Sequence, residues 1–376
     1  MKDGRSLQEL VMELERQKET KKDFIATTQS FQMDAENLWT ADDKPTEYTL
    51  SATSFDPTYE LPVVYNPSNS AHHRFDIRET AHRQIANKVG IPWKYYQKML
   101  TKQDGNDLLA VNVNEWFQYN PKRQMLRTLD GNLRAFLSDK YRPLDNYELC
   151  SAILPSLATS GMEIKSCEVT DSRLYLKAVS DKVQGEIRQG DIVQAGVCIS
   201  NSEIGLGSVK VEPLIFRLVC SNGMISVDHS LRKTHIGRGF DGDDNMAQEF
   251  FKDETRKADD AAFYLKVRDV VAGTFEQTRF DKLVDKMRAS AEREITGDPM
   301  QVVEVTQREY ALSDDERGGI MGALIAGADM TQWGLANAVT FTSQTVPDYD
   351  RATELERLGG EIMELPQTRW DSLVAA

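Results

Sequence analysis

Cysteine and histidine are scarce in this 376-residue chain, at four and five residues, and no apolar run approaches the roughly 18 residues of a membrane-spanning helix. The opening residues, MKDGRSLQEL, lack the apolar core of a secretory leader. Both absences predict a protein that acts in the cytoplasm, away from any membrane. Cys150, Cys167, Cys198 and Cys220 are too widely spaced for a CxxC metal site or a compact disulfide scaffold, which predicts reduced, mostly buried thiols. His72 and His73 are adjacent and His82 has no HxxxH partner, so no zinc motif forms; Asp241, Asp243 and Asp244 lack the closing Glu of a calcium loop. Neither a GxxxxGK[ST] phosphate loop nor a GxSxG elbow occurs. No metal and no organic cofactor is expected.

What is plentiful is acid. The chain holds 45 Lys and Arg against 59 Asp and Glu, a net charge of -14, which at face value opposes binding to phosphate. The charge is unevenly placed. Residues 71–240 carry 23 Lys and Arg against 18 Asp and Glu, a net of +5, so the remainder holds 22 against 41. The middle is mildly basic and the ends are acidic.

Periodicity divides the chain into four parts. Residues 1–25 place Leu7, Leu10, Val11 and Leu14 at helical spacing, which predicts an exposed amphipathic arm. Residues 26–70, rich in Thr, Ser, Asn, Asp and Pro, show no sustained period and predict an extended connector. Residues 71–300 predict an α+β core. It begins with a helix from Ile77 to Val89 and a second opened by Pro92. Strands follow over LLAVNVNEWF and KRQMLRTL, then a hairpin turn at Asp130-Gly131 into NLRAFLS. A helix capped by Asp145 or Asn146 runs to about Leu157, followed by four strands ending near Ser226. A long helix from about Met246 to Thr296, with a break at Gly273, backs this largely antiparallel sheet. Residues 301–376 predict a helical cap.

The stretch FRLVCSNGMI, residues 216–225, sets Cys220 beside a turn. A nucleophilic thiol needs a base, and His229 and His235 lie 9 and 15 residues further on. The simpler reading is a strand that ends, with Leu218 and Val219 buried, Cys220 as a small core residue, and Asn222-Gly223 as a turn able to take positive φ. That turn would deliver the basic cluster Arg232, Lys233, His235 and Arg238. A second basic group, Lys122, Arg123, Arg127, Arg134, Lys140, Tyr141 and Arg142, lies on and just after the hairpin, with Trp116, Phe117, Tyr119 and Phe136 interleaved. Cations that follow phosphates and aromatic faces that stack bases are how single-stranded nucleic acid is held.

The pair AFLSDKYRPLDNYEL (135–149) and IFRLVCSNGMI (215–225), with the strand pattern between them, resembles a phage and plasmid protein family known as DUF932. The likeness spans roughly residues 70–300. It implies a phage or mobile-element product in a bacterial cytoplasm and brings no catalytic residues. The order of hairpin, strands and long helix is also similar in architecture to the single-strand annealing proteins of phage recombination, the Rad52-like and Red-beta-like group, which form rings or filaments.

Three functional expectations follow. The first is a homo-oligomeric, non-enzymatic protein that binds and anneals single-stranded DNA through Arg123, Arg127, Arg134, Lys140, Tyr141, Arg142 and the 232–238 cluster. The second is a module whose acidic surface occupies a host or phage protein partner. The third is an enzyme centred on Cys220 and His235.

Overall fold

The computed structural model describes residues 1–36, 47–52, 73–101, 108–141, 143–207, 209–226, 253–274 and 276–375. The expected α+β class is observed, with the strands gathered into two sheets. The chain divides into two units, one comprising 12–143 with 203–206, the other 1–11, 144–202 and 207–376. Helix α1 (Leu7–Thr20) contributes residues to both. It was expected to be an exposed arm, but its apolar stripe is packed, with Leu10 and Leu14 buried.

The first unit is built on six strands: β1 (Lys22–Thr27), β2 (Phe31–Glu36), β3 (Glu47–Ala52), β4 (His73–Ile77), β5 (Arg123–Leu129) and β6 (Asn132–Ser138). Their order is β1-β5-β6-β4-β3-β2, antiparallel except where β4 runs beside β6. The connector expected over 26–70 is therefore corrected where it is described: Phe31, Met33 and Leu50 are core residues of β2 and β3. A short 3-10 turn, Thr28–Ser30, joins β1 to β2.

The hairpin forms as expected, with Asp130 at φ 53° and Gly131 at φ 78°, both left-handed as a type I′ turn requires. Helices α2 (Glu79–Val89) and α3 (Trp93–Leu100) also match the sequence reading. The segment LLAVNVNEWF does not. It is helix α4 (Leu108–Tyr119), because Leu109, Val113 and Phe117 recur at i, i+4 and i+8 and are all buried, whereas Val111, which completes an alternating pattern, is exposed. Asn114 docks this helix on β2, its side chain accepting from Met33 N at 2.8 Å and donating to Met33 O at 2.9 Å.

In the second unit, α5 (Asn146–Thr159) starts after Asp145 as expected, but Asp145 makes no side-chain capping hydrogen bond. The chain then forms the antiparallel sheet β11-β10-β9-β8-β7 from β7 (Met162–Val169), β8 (Leu174–Glu186), β9 (Ile192–Asn201), β10 (Lys210–Arg217) and β11 (Asn222–Ile225). The turn after β10 differs from the expected one. Asn222 and Gly223 are already in β11, Ser221 takes the positive φ of 52°, and Leu218 and Val219 are exposed rather than buried.

Where it is described, the expected long helix is two, α6 (Asp253–Thr274) and α7 (Gln277–Ala291), split just after Gly273; its expected start, 246–252, lies outside the described residues. Helices α8 (Pro299–Tyr310), α9 (Asp314–Gly327), α10 (Gln332–Thr342), α11 (Tyr349–Met363) and α12 (Gln367–Val374) complete the unit. They do not form a cap of their own. Val193, Ala195 and Ile215 of the sheet share one buried cluster with Leu283 and Met287 of α7, Trp333 of α10, Leu355 of α11 and Trp370 of α12.

Candidate nucleic-acid interface

The six-stranded unit sorts its aromatic residues by side. Phe117 of α4 turns inward, where it stacks on Phe136 of β6 at 5.8 Å and meets Phe31 edge-on at 5.9 Å. On the other side of α4, Trp116 and Tyr119 stand at i and i+3, 46% and 80% exposed, with ring centroids 5.7 Å apart and planes at 89°. Pro121 follows the helix, and the chain is tied down there. Thr28 N donates to Lys122 O at 2.9 Å, Thr28 Oγ1 donates to Phe117 O at 2.9 Å, and Lys122 N donates to Thr28 Oγ1 at 3.2 Å. This pinned corner walls a cavity of about 220 Å³, shared with Lys88, Val89 and Gly90 at the end of α2. Lys88 and Lys122 are both exposed. Two apolar rings and two cations thus border one concavity.

The expected cationic face of the hairpin is not assembled. Strand β5 is buried from Gln124 to Thr128. Its Arg127 is 2% exposed, pairing through Nε with Asp23 at 2.8 Å and donating from Nη1 to Glu203 O at 2.7 Å. Arg134 is 9% exposed and pairs with Glu203 at 3.2 Å, a carboxylate that Lys21 also approaches at 3.4 Å. Pairing slips by one residue between Arg127 and Thr128, and Arg134 falls at the slip. Both guanidiniums therefore hold the segment 203–206 against the sheet and offer nothing to an external phosphate. Tyr141 is half-buried against the cluster of Ile25, Met125, Leu137 and Ile204. Arg123 and Lys140 remain exposed at the base of the hairpin, Arg123 lying 3.6 Å from Asp139. Arg142, Arg232, Lys233, His235 and Arg238 lie outside the described residues.

Cys220 is half-buried, its Sγ accepting from Arg217 Nη1 at 3.6 Å; Cys150, Cys167 and Cys198 are buried free thiols. With His235 outside the described residues, no catalytic pair can be drawn. Asn222, expected as a turn residue, is instead a buried bridge. It donates from Nδ2 to Asn337 O at 3.1 Å and accepts from Gln344 Nε2 at 2.6 Å.

A family model described as a domain of unknown function, DUF932, matches residues 135–354, more than half of the chain. The chain belongs to the DUF932 family. The DUF932 match begins in β6, later than the expected start near residue 70, and continues past the expected end near 300 into α11. It thus contains the whole of the five-stranded sheet and most of the helices packed on it. No curated protein and no solved structure matches the chain, so the resemblance to annealing proteins gains no structural counterpart. Among the described residues, no helix is long and apolar enough to cross a membrane.

Proposed function

We propose that this DUF932 protein binds single-stranded DNA without hydrolysing nucleotides, and anneals it as a homo-oligomer in the DNA metabolism of a phage or mobile element. The observation that carries the reading is the exposed Trp116–Tyr119 pair beside Lys88 and Lys122 at one concavity. Exposed aromatic faces are costly to leave in water, and a base stacked on one recovers about 1–3 kcal/mol while nearby ammonium groups meet its phosphates. The local charge favours this. Described residues 73–141 hold 11 Lys and Arg against 5 Asp and Glu, in a chain that is acidic as a whole. The site lies at the end of α4 and the base of the hairpin, not on the hairpin's faces.

Fluorescence anisotropy of a labelled oligonucleotide tests the proposal. Binding at about 50 mM salt should weaken steeply by about 200 mM. Trp116→Ala and Tyr119→Ala should each weaken it by about fivefold or more, and Lys122→Ala should flatten the salt dependence. Sedimentation with and without the oligonucleotide reads the subunit count. No retention at low salt in folded protein would sink the proposal and leave the acidic ends, as a protein-binding surface, the better reading.

A further inference from the structure

Between Thr80 and Thr101, the span of α2 and α3, the chain carries four Lys and Arg and no Asp or Glu, in a protein whose net charge is -14. One of the four is committed: Arg83 pairs with Glu79 at 2.8 Å, and its guanidinium carbon lies 4.6 Å from the Trp93 ring centre. Among the described residues, Lys88, Lys94 and Lys98 pair with no carboxylate, and all three are exposed. Unpaired cations clustered in an acidic protein leave a local positive potential that draws an anion.

Helix α3 divides its side chains between two faces. On the inner face Tyr96 and Met99 are buried, the Tyr96 hydroxyl lying 2.9 Å from His82 Nδ1 and its ring stacked on Trp93 at 5.5 Å. On the outer face Lys94 and Lys98 stand one turn apart, and Tyr95 beside them is 50% exposed. The inner contacts hold the helix in place. The outer groups suit one kind of anion best. An acidic peptide would meet the lysines and leave the tyrosine face in water, and a duplex keeps its base faces stacked on one another. A single strand offers phosphates and free base faces together.

This outer face adjoins the concavity of Trp116 and Tyr119, whose wall includes Lys88 and Gly90. Two Cα steps lead from Gly90 to Pro92, and Tyr95 N donates to Pro92 O at 2.9 Å, closing one turn. The backbone of Tyr95 is therefore within about 15 Å of the cavity wall. We propose that a single strand held at Trp116 and Tyr119 continues past Lys88 onto α3, stacking a base on Tyr95 and setting phosphates against Lys94 and Lys98. The proposal rests on the single-stranded DNA reading and deepens it: the ligand is a strand long enough to reach two stacking platforms, not an isolated nucleotide or a strand end.

The test is anisotropy of a labelled single strand of about 20 nucleotides, longer than the about 4–16 that one single-strand module covers. The double variant Lys94→Gln, Lys98→Gln should weaken binding at least about fivefold at about 50 mM salt. It should also lower the slope of log K against log salt by about 1.4, two phosphates at about 0.7 each. Tyr95→Ala should weaken binding about fivefold or more. All three positions are exposed, so the unfolding midpoint should stay unchanged. Binding that is lost in Trp116→Ala but unaltered in both α3 variants would overturn this proposal and leave the concavity's role standing. Absence of binding by the unchanged chain would remove both. Competition by a blunt duplex, or by polyglutamate, as effective as that of unlabelled single strand would also overturn it, making α3 a duplex or general polyanion surface.

Discussion

Replacing Lys177 by Met isolates the energetics of a charge pair placed wholly inside the five-stranded unit. Lys177 of β8 and Glu356 of α11 are both 0% exposed, with Nζ and Oε2 2.6 Å apart. The ammonium also donates to Thr353 Oγ1 at 3.1 Å and lies 4.5 Å from the Tyr349 ring. Met nearly preserves the volume of the Lys stem, so the substitution leaves packing intact and strands the carboxylate. Breaking one half of a buried pair costs about 3–5 kcal/mol, whereas replacing both halves with apolar groups of similar size is often neutral or stabilising. Lys177→Met alone should therefore lose about 3–5 kcal/mol in urea denaturation followed by circular dichroism, at an unchanged slope. Lys177→Met combined with Glu356→Leu should recover most of that loss. A double variant as unstable as the single, or a single-variant loss below about 1 kcal/mol, would refute the account of a stranded charge.

Other expectations rest on single contacts. His82 is buried, its Nδ1 2.9 Å from the Tyr96 hydroxyl, and desolvation pulls its pKa down to about 4, against a weaker opposing pull from Glu79. The unfolded chain binds a proton near pH 6.5 that the folded chain refuses until about pH 4, so stability is full above that window and falls by up to about 3 kcal/mol as pH drops through it. His82→Phe should flatten this slope in urea titrations at pH 7, 5.5 and 4.5; an unchanged slope would remove His82 as the cause. Gly360 of α11 comes so close to β11 that a Cβ would sit 1.9 Å from Ile225 O, so Gly360→Ala should destabilise by about 1–3 kcal/mol. Gly318→Ala in α9, where a Cβ meets nothing within 4 Å, should instead raise the thermal midpoint through helix propensity worth about 0.5–1 kcal/mol.

What the sequence made legible was local. Asp130-Gly131 between two apolar runs specifies a hairpin because two adjacent left-handed residues suit few other structures, and Pro92 after Gly90 separates two helices for the same kind of reason. Helix α4 misled because Leu109, Val111 and Val113 alternate while Leu109, Val113 and Phe117 also fit a helical period, and only Val111's exposure separates the two patterns. The strands before residue 53 were hidden differently. Phe24, Ile25 and Ala26 are buried in succession, covered on both faces, so no alternation marks β1.

The binding residues show where composition stops being informative. Arg127 and Arg134 lie among aromatics, as a nucleic-acid surface would have them, yet their partners are 104 residues earlier at Asp23 and 69 residues later at Glu203. A pairing that distant leaves no trace in local spacing, and it decides whether a guanidinium faces solvent or the core. Arg134→Ala would therefore weaken any oligonucleotide binding by unsettling the segment 203–206, and a loss in that variant would carry no information about contact with DNA. Trp116 and Lys122 are exposed at the end of a helix pinned by Thr28, with no buried partner to strand. A loss of binding in Trp116→Ala or Lys122→Ala, at unchanged unfolding midpoint, separates contact with the nucleic acid from damage to the fold.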